Sequence, residues 1–463
     1  MRTLLSSIVL VALLSPARAD QPAGPSAGLH MLSLKQAYSL ALKSHPSVQM
    51  LKERVRQAEA ARYRAWSQLK PTASFQGTFT HFDKEIVIDF AGSGSQIQTL
   101  PDNLKQYQDL VVWLMTTLAG AQQQTEPIVF QKQNQFGWSA VANLPVFRGP
   151  AYPGIGMARK QVRLAKLTEV RSRRDFLLRV AQAYYVVVSQ KEVVTALEHK
   201  VKVDEKHLAA ARARFQVGQS PRSEVLRADL VATQDRQKLR TQTNTLHAAR
   251  RQLALLVGLE GSVDVRRPAE PRSTDGRVGE ALAVRHDYLA TDVAIRLAKQ
   301  GKDTVWWGFL PMLDLSWLYR WSETEGFSGE RGAWQLMFTL NVPIYDGGVR
   351  YANLREASAK HREALAQRRA LALQIESEIV KLRADVESAN AGVISARKAL
   401  ELAKTTASDM EVSFEAGAVT QLDVLDANQR LLDAELALTA QIFQRDLARM
   451  ALAHALGKFN PQG

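Results

Sequence analysis

Two hydrophobic rhythms alternate along this chain, and each occurs twice. In Trp334-Gln-Leu-Met-Phe-Thr-Leu-Asn-Val342 the residues Trp334, Leu336, Phe338, Leu340 and Val342 share one face, with Gln335, Thr339 and Asn341 on the other. Leu313, Leu315, Trp317, Tyr319 and Trp321 repeat the scheme, and Ala73 to Phe82 and Phe136 to Leu144 follow it more weakly. A period of two gives a strand one apolar and one polar face, so strands are predicted at about 72–82, 136–144, 312–321 and 334–342. After each pair the period lengthens. From Met157 to Val217 there is neither glycine nor proline, and from Val349 to Ala416 only Gly392 interrupts a run rich in Ala, Leu, Glu, Arg and Lys. These runs predict helices at about 154–216 and 349–415, each roughly 90–100 Å long at 1.5 Å per residue.

Helices of that length exceed the ordinary value of about 11 residues several-fold and must pack lengthwise on partners. Gly218-Gln-Ser-Pro221 and Gly417-Ala-Val-Thr420 stop them, and return helices follow at about 221–257 and 421–456. Glycine ends a helix by accepting a left-handed conformation, while Ser220 and Thr420 read as N-caps of the return helices. Val424, Ala427, Leu431, Ala434 and Leu438 step by three and four residues, a coiled-coil seam. Two antiparallel helical hairpins are expected.

The duplication extends to motifs. Asn143-Leu-Pro-Val-Phe-Arg-Gly149 returns as Asn341-Val-Pro-Ile-Tyr-Asp-Gly347, and Phe215-Gln-Val-Gly218 as Phe414-Glu-Ala-Gly417. The second match holds an offset of 199 through Val225/Val424, Leu226/Leu425, Ala228/Ala427 and Gly258/Gly457. One structural unit is therefore built twice, with a first repeat over 20–262 and a second over 263–463. The first holds an insert within 83–135, which includes the short apolar run Leu110 to Met115. Pro145, Gly149, Pro343 and Gly347 are expected to turn the chain from strand to helix.

Residues 1–19 read as a signal peptide: Arg2, an apolar core from Leu4 to Leu14, and Ala17-Arg-Ala19 as the cleavage site. No other stretch is long and apolar enough for a membrane-spanning helix. The absence of cysteine excludes disulfides, thiolate metal sites and an N-terminal lipid on cysteine. The nine scattered histidines form no metal-binding spacing, and no nucleophile-base pair stands out, so no enzyme, metal or cofactor is expected. A net charge of +14 allows a nucleic-acid reading through counterion release, which export opposes. It also fits a solvated helical surface in contact with anionic lipid.

Strands of nine to eleven residues with an aromatic-rich apolar face suit a membrane β-barrel, and they also suit a hairpin on a soluble core. Trp138, Trp317, Trp321 and Trp334 fit membrane-interface aromatics, as Trp306 and Trp307 do. Four strands cannot close a barrel, and open edges are not tolerated in lipid, so several chains would each contribute four.

Strand pair, very long helix, an aromatic-x-x-Gly turn and a returning Asp-Val-Leu-Asp-Ala427, all duplicated, resemble the TolC-type outer-membrane efflux protein family over nearly the whole mature chain. The most specific stretch is Phe414 to Ala427. The resemblance implies a mainly α fold with a β-barrel portion: a homotrimer whose twelve strands form one outer-membrane barrel, continued by a tunnel of helical hairpins. It implies a passive exit duct of a tripartite efflux or type I secretion system, with a periplasmic adaptor and an inner-membrane pump as partners. It places a gate at the inward tip, with carboxylate rings at Asp423 and Asp426, and adaptor docking around Phe215, Val217, Gly218, Ser220, Phe414, Gly417 and Thr420. Without the family, Asp423 reads equally well as a helix N-terminal charge. The family's closing latch joins a tyrosine and an arginine to an acidic residue. Here those positions are Phe414, Val419 and Glu224, so bridges from Arg227 to Asp426 or Arg222 to Asp423 are expected instead. The rival is a periplasmic coiled-coil adaptor without a pore, which would not need a strand pair before each hairpin.

Overall fold

The computed structural model describes residues 30–88, 113, 128–271, 275–323 and 330–459. The expected signal peptide and most of the 83–135 insert, including the Leu110 to Met115 run apart from Trp113, lie outside these residues. Strand β1 (His30–Leu32) leads into α1 (Leu34–Ser44) and α2 (Pro46–Ser67), then β2 (Thr72–His81), β3 (Ile86–Ile88), β4 (Ile128–Gln131) and β5 (Asn134–Arg148). Helices α3 (Ala151–Gln216) and α4 (Arg222–Val257) follow, then β6 (Val263–Val265), α5 (Val278–Val284) and α6 (His286–Trp307). Strands β7 (Met312–Ser322) and β8 (Gly332–Asn341) precede α7 (Val349–Glu415) and α8 (Gln421–Ala455). Among the described residues no helix is long and apolar enough to cross a membrane.

Contacts divide the chain into two units, each drawing on both halves of the sequence. One comprises residues up to 51, 171–285 and 374 onward. Its apolar core is built from α1, α3 and α4 around the short parallel pair β1–β6, with Tyr38, Phe176, Val180, Leu253 and Val263 all buried. Tyr184 is fully buried there, and its hydroxyl donates to the Arg266 carbonyl at 2.6 Å, which ties the connection after β6 to α3. The long-helix ends toward the 218 and 417 turns belong to this unit.

The other unit spans 52–170 and 286–373 and contains an antiparallel sheet of order β2-β5-β7-β8. Its inner strand β5 is longer than the alternation alone predicts. A bulge between Pro145 and Phe147 absorbs one residue, so that Phe147 pairs with Leu313 and returns to the apolar face. Pro145 is thus inside the strand and not in the turn; the turn lies at Gly149 and Pro150. In the second repeat the turn lies at Gly347 and Gly348, with φ of 69° and 87°. The Asp346 carboxylate accepts from the Gly348 N–H at 3.1 Å and from Arg350 Nε at 2.7 Å, and Arg350 Nη1 donates to the Pro343 carbonyl. This staple sets the start of α7.

Candidate functional site

Cross-strand register sorts the sheet into two chemically opposite faces. Phe75 opposes Ala140, which opposes Tyr319, which opposes Trp334. One step along, Trp138 opposes Trp321, and Trp317 opposes Leu336. The other face carries Ser74, Gln76, Thr78, Ser139, Asn143, Asp314, Ser316, Gln335 and Thr339. The aromatic side is open to its surroundings: Phe75, Phe338 and Trp334 are 66–71% exposed. Apolar rings left uncovered on a four-stranded sheet cost free energy in water and match a hydrocarbon environment.

The rings gather in two bands. Trp138 stacks on Tyr319 at 5.1 Å and lies 5.5 Å from Phe75, and Phe136 meets Trp321 at 6.2 Å. At the other end, Phe147 meets Tyr152 and Tyr152 meets Trp307, while Phe309 contacts both Trp306 and Tyr351. Trp138 and Phe147 are nine residues apart, about 30 Å along a strand. A tilt of about 40° reduces this to about 23 Å, close to the apolar band of a membrane barrel. Strands β2 and β8 each have a neighbour on one side alone within this sheet, so both outer edges present unpaired N–H and C=O groups. On the polar face, Arg148 pairs with Asp314 at 2.9 Å beside the strand-to-helix turn.

The helical hairpins end in two copies of one turn. Gln219 N donates to the Arg214 carbonyl and Gly218 N to that of Phe215; Ala418 N and Gly417 N make the same bonds to Ser413 and Phe414. Gly218 and Gly417 have φ of 74° and 76°, the left-handed geometry this motif requires. The caps that follow differ. Thr420 accepts from Asp423 N while the Asp423 carboxylate accepts from Thr420 N at 2.8 Å, a full capping box. In the first hairpin Pro221, and not Ser220, is the N-cap, without a side-chain bond, and the Ser220 hydroxyl has no partner. Proline supplies the fixed backbone angle and displaces serine from the role the sequence suggests.

At the tip Phe215, Val217, Gly218 and Gly417 are exposed, and Phe414 is half-buried beneath the Arg214 guanidinium, 4.4 Å from the ring centroid. Arg214 precedes the Phe215 motif and carries no sequence signal of its own for this cation–π contact. Asp423 and Asp426 are both exposed on α8. Hydrogen bonds from Thr420 hold Asp423 below the ordinary carboxylate range. Asp426 is held by Arg430, one turn along, at 2.9 Å. Among the described residues of one chain, neither the Arg227–Asp426 nor the Arg222–Asp423 bridge forms, and Glu224 makes no ion pair. Next to the tip, a cavity of about 590 Å³ lies between α3 and the α7–α8 pair, with His207, Arg214, Phe414 and Asn428 in its wall. His207 Nε2 is 3.3 Å from Asn428 Nδ2, and burial lowers the pKa of its ring. Deeper in the first hairpin, Lys200, Asp204 and Asp235 are buried together, Lys200 contacting both carboxylates, and Lys238 reaches Asp235 at 2.7 Å from outside. Among the described residues no group of three or more His, Asp or Glu is arranged to hold a metal ion.

The family model described as Outer membrane efflux protein matches residues 115–259 and 278–458, in two blocks that follow the two repeats. The outer membrane protein TolC of Vibrio cholerae is 25% identical over 345 residues, covering 68% of this chain and 75% of its own length. The crystal structure of the outer membrane protein VceC from V. cholerae superposes with a TM-score of 0.68 at 20% identity, over 92% of this chain and 97% of that one. A CusC structure, described in terms of transmembrane channel formation, gives 0.73 at 17% identity over 95% of each chain.

Proposed function

Because the chain belongs to the outer membrane efflux protein family, we propose that three copies assemble into one passive exit duct, each giving four strands to a twelve-stranded barrel and two hairpins to a helical tunnel. The single observation that carries this reading is the open-edged sheet. Its aromatic face suits lipid, its polar face suits a water-filled lumen, and its two unpaired edges are satisfied only by closure with further copies. The protein itself lies in the outer membrane. Energy comes from an inner-membrane pump, with a periplasmic adaptor between, in a drug-efflux, cation-efflux or type I secretion system.

The gate lies at the 417 tip. Three-fold symmetry would bring three copies each of Asp423 and Asp426 around one passage, where ionised carboxylates favour cations and oppose anions. Thr420 keeps Asp423 ionised, and Arg430 partly offsets Asp426. Single-channel recording of the purified protein in planar bilayers tests both duct and gate. A small cation-selective current is expected, and Asp423→Ala/Asp426→Ala should enlarge it and weaken its selectivity. An unchanged current in the variant moves the gate elsewhere, and no current from verified, inserted protein overturns the duct.

The same tip docks the adaptor. Gly218 and Gly417 have open space where a side chain would project, so another helical hairpin can approach the backbone there. Gly417→Trp should abolish export in cells that make pump and adaptor while the trimer persists; normal export would refute docking at this turn.

A further inference from the structure

Helices α3 and α8 are covered by neighbours within the chain, whereas α4 and α7 each keep one face bare. On α7, Val380 and Ile394 are 58% and 69% exposed, and with Glu387 and Glu401 they form a strict seven-residue repeat of apolar and acidic positions. On α4, Leu226, Leu230 and Leu255 are 57–73% exposed and share a heptad face with Arg227, Arg240 and Arg251. Seven-residue spacing keeps such positions on one side of a supercoiled helix, so each bare face is a seam without a partner. Their charges are opposite. Residues 171–257 hold 17 Lys and Arg against 8 Asp and Glu, net +9, while residues 374–455 hold 8 against 13, net −5.

We propose that the basic face of α4 in one copy packs along the acidic face of α7 in the next, so that hairpins of alternating sign close the tunnel ring. The inference rests on the trimeric duct proposed above and assigns the surfaces and the charge code that join its copies. Heights within the chain fix the register. Across the first hairpin Arg212 opposes Asp229 and Lys200 opposes Asp235, and Arg214 meets Phe414 on α7. Rotation about a ring axis shifts nothing along that axis, so the same heights apply between copies. They set Arg251 opposite Glu387, Arg227 opposite Asp409 and Leu255 opposite Val380, each to within about one turn, roughly 5 Å. Arg227, Arg251, Glu387 and Asp409 are all exposed, and none makes an ion pair with another described residue. Arg240 comes level with the existing Lys398–Glu401 pair. Like charges across such a seam are penalised, which excludes pairing of two first hairpins and favours head-to-tail closure.

The test is the trimer's dissociation half-life in detergent, measured by native mass spectrometry at low and high salt, with helicity checked by circular dichroism. Arg227→Glu/Arg251→Glu should shorten it at least tenfold at low salt. Adding Glu387→Arg/Asp409→Arg should restore most of it, because the pairs are re-formed with their signs exchanged. Should the double Glu variant fail to fold, Arg227→Gln/Arg251→Gln should give a smaller loss and flatten the salt dependence. An unchanged half-life, or a further loss in place of rescue, overturns the seam while leaving the trimer. A wild-type protein that is monomeric at micromolar concentration overturns the trimer and the seam with it.

Discussion

The two hairpins share a length, a turn and an offset of 199 residues, yet at one set of matched positions they carry different chemistry. In the first, Lys200, Asp204 and Asp235 are buried together between α3 and α4. Adding 199 leads to Ala399, Ala403 and Ala434: three ions in one repeat stand where three alanines stand in the other. Buried ions lose hydration and recover it only in one geometry, so they fix the register of the helices that carry them. Alanine faces permit close approach but discriminate weakly between registers. The second hairpin has its own buried pair, Arg445 with Asp446, but farther from the turn, so nearer the tip it is the first hairpin whose helices are keyed by buried charge. The caps divide the other way. The second hairpin restarts on a full Thr420–Asp423 capping box and the first on Pro221 with no side-chain bond, so the second has the better-satisfied helix end.

Removing the cation alone should break this contrast most severely. Lys200→Met would leave Asp204 and Asp235 buried beside one another with Lys238 alone to hold Asp235, a loss on the order of 3–5 kcal/mol. Hydrogen exchange of the intact protein should report it as protection falling roughly a hundredfold or more over residues 196–240, with the second hairpin little changed. Lys200→Ala/Asp204→Ala/Asp235→Ala, which gives the first hairpin the residues of the second, should instead lie within about 1 kcal/mol of wild type. If the triple variant is as damaged as Lys200→Met, the ions stabilise the hairpin outright and their role is not confined to specifying register.

Much of the fold was legible because its signals are local and long. Sixty residues without glycine or proline, a period of two around Trp317 and Trp334, and glycines at 218 and 417 each point to one backbone geometry. The order β2-β5-β7-β8 was not, since strands from distant parts of the chain meet through register that no local pattern encodes. The bulge at Pro145 was hidden for a related reason: a proline with a glycine four residues on reads as a turn, and only the pairing of Phe147 with Leu313 shows that the strand continues. At the tip, Asp426 and Arg430 are four residues apart, the ordinary spacing of a helical ion pair, and that local pairing takes precedence over a bridge to Arg227. The buried ions were the hardest to see, because Lys200 and Asp204 look like any solvated pair on a coiled coil. Their sole trace was comparative, in the three alanines of the second repeat.

Acidity should separate the hairpins by a smaller margin and with a definite sign. Burial pushes the Asp204 carboxyl up to about 6, above its unfolded value near 3.8. The folded hairpin then binds a proton more tightly than the unfolded chain, so the contribution is full below pH 3.8 and is lost as pH rises through 6. Between pH 5 and pH 7 the first hairpin should lose about 1 kcal/mol, a five- to tenfold fall in protection once intrinsic exchange is corrected. Asp235, held low chiefly against its own burial by bonds from Lys238 and Lys200, stays ionised throughout that window. His207, close by on α3, works in the other direction, because burial lowers its pKa and its contribution weakens as pH drops below about 6.5. The decisive quantity is therefore the difference between wild type and Asp204→Asn, which removes the first contribution and leaves that of His207. A loss of protection from pH 5 to pH 7 that survives in the Asn variant would place the titrating group outside the buried cluster, because His207 acts in the opposite sense. A loss on raising the pH that is confined to wild type, and absent around Ala403, would show that the ions and the alanines at matched positions give two like hairpins different sensitivities to acid.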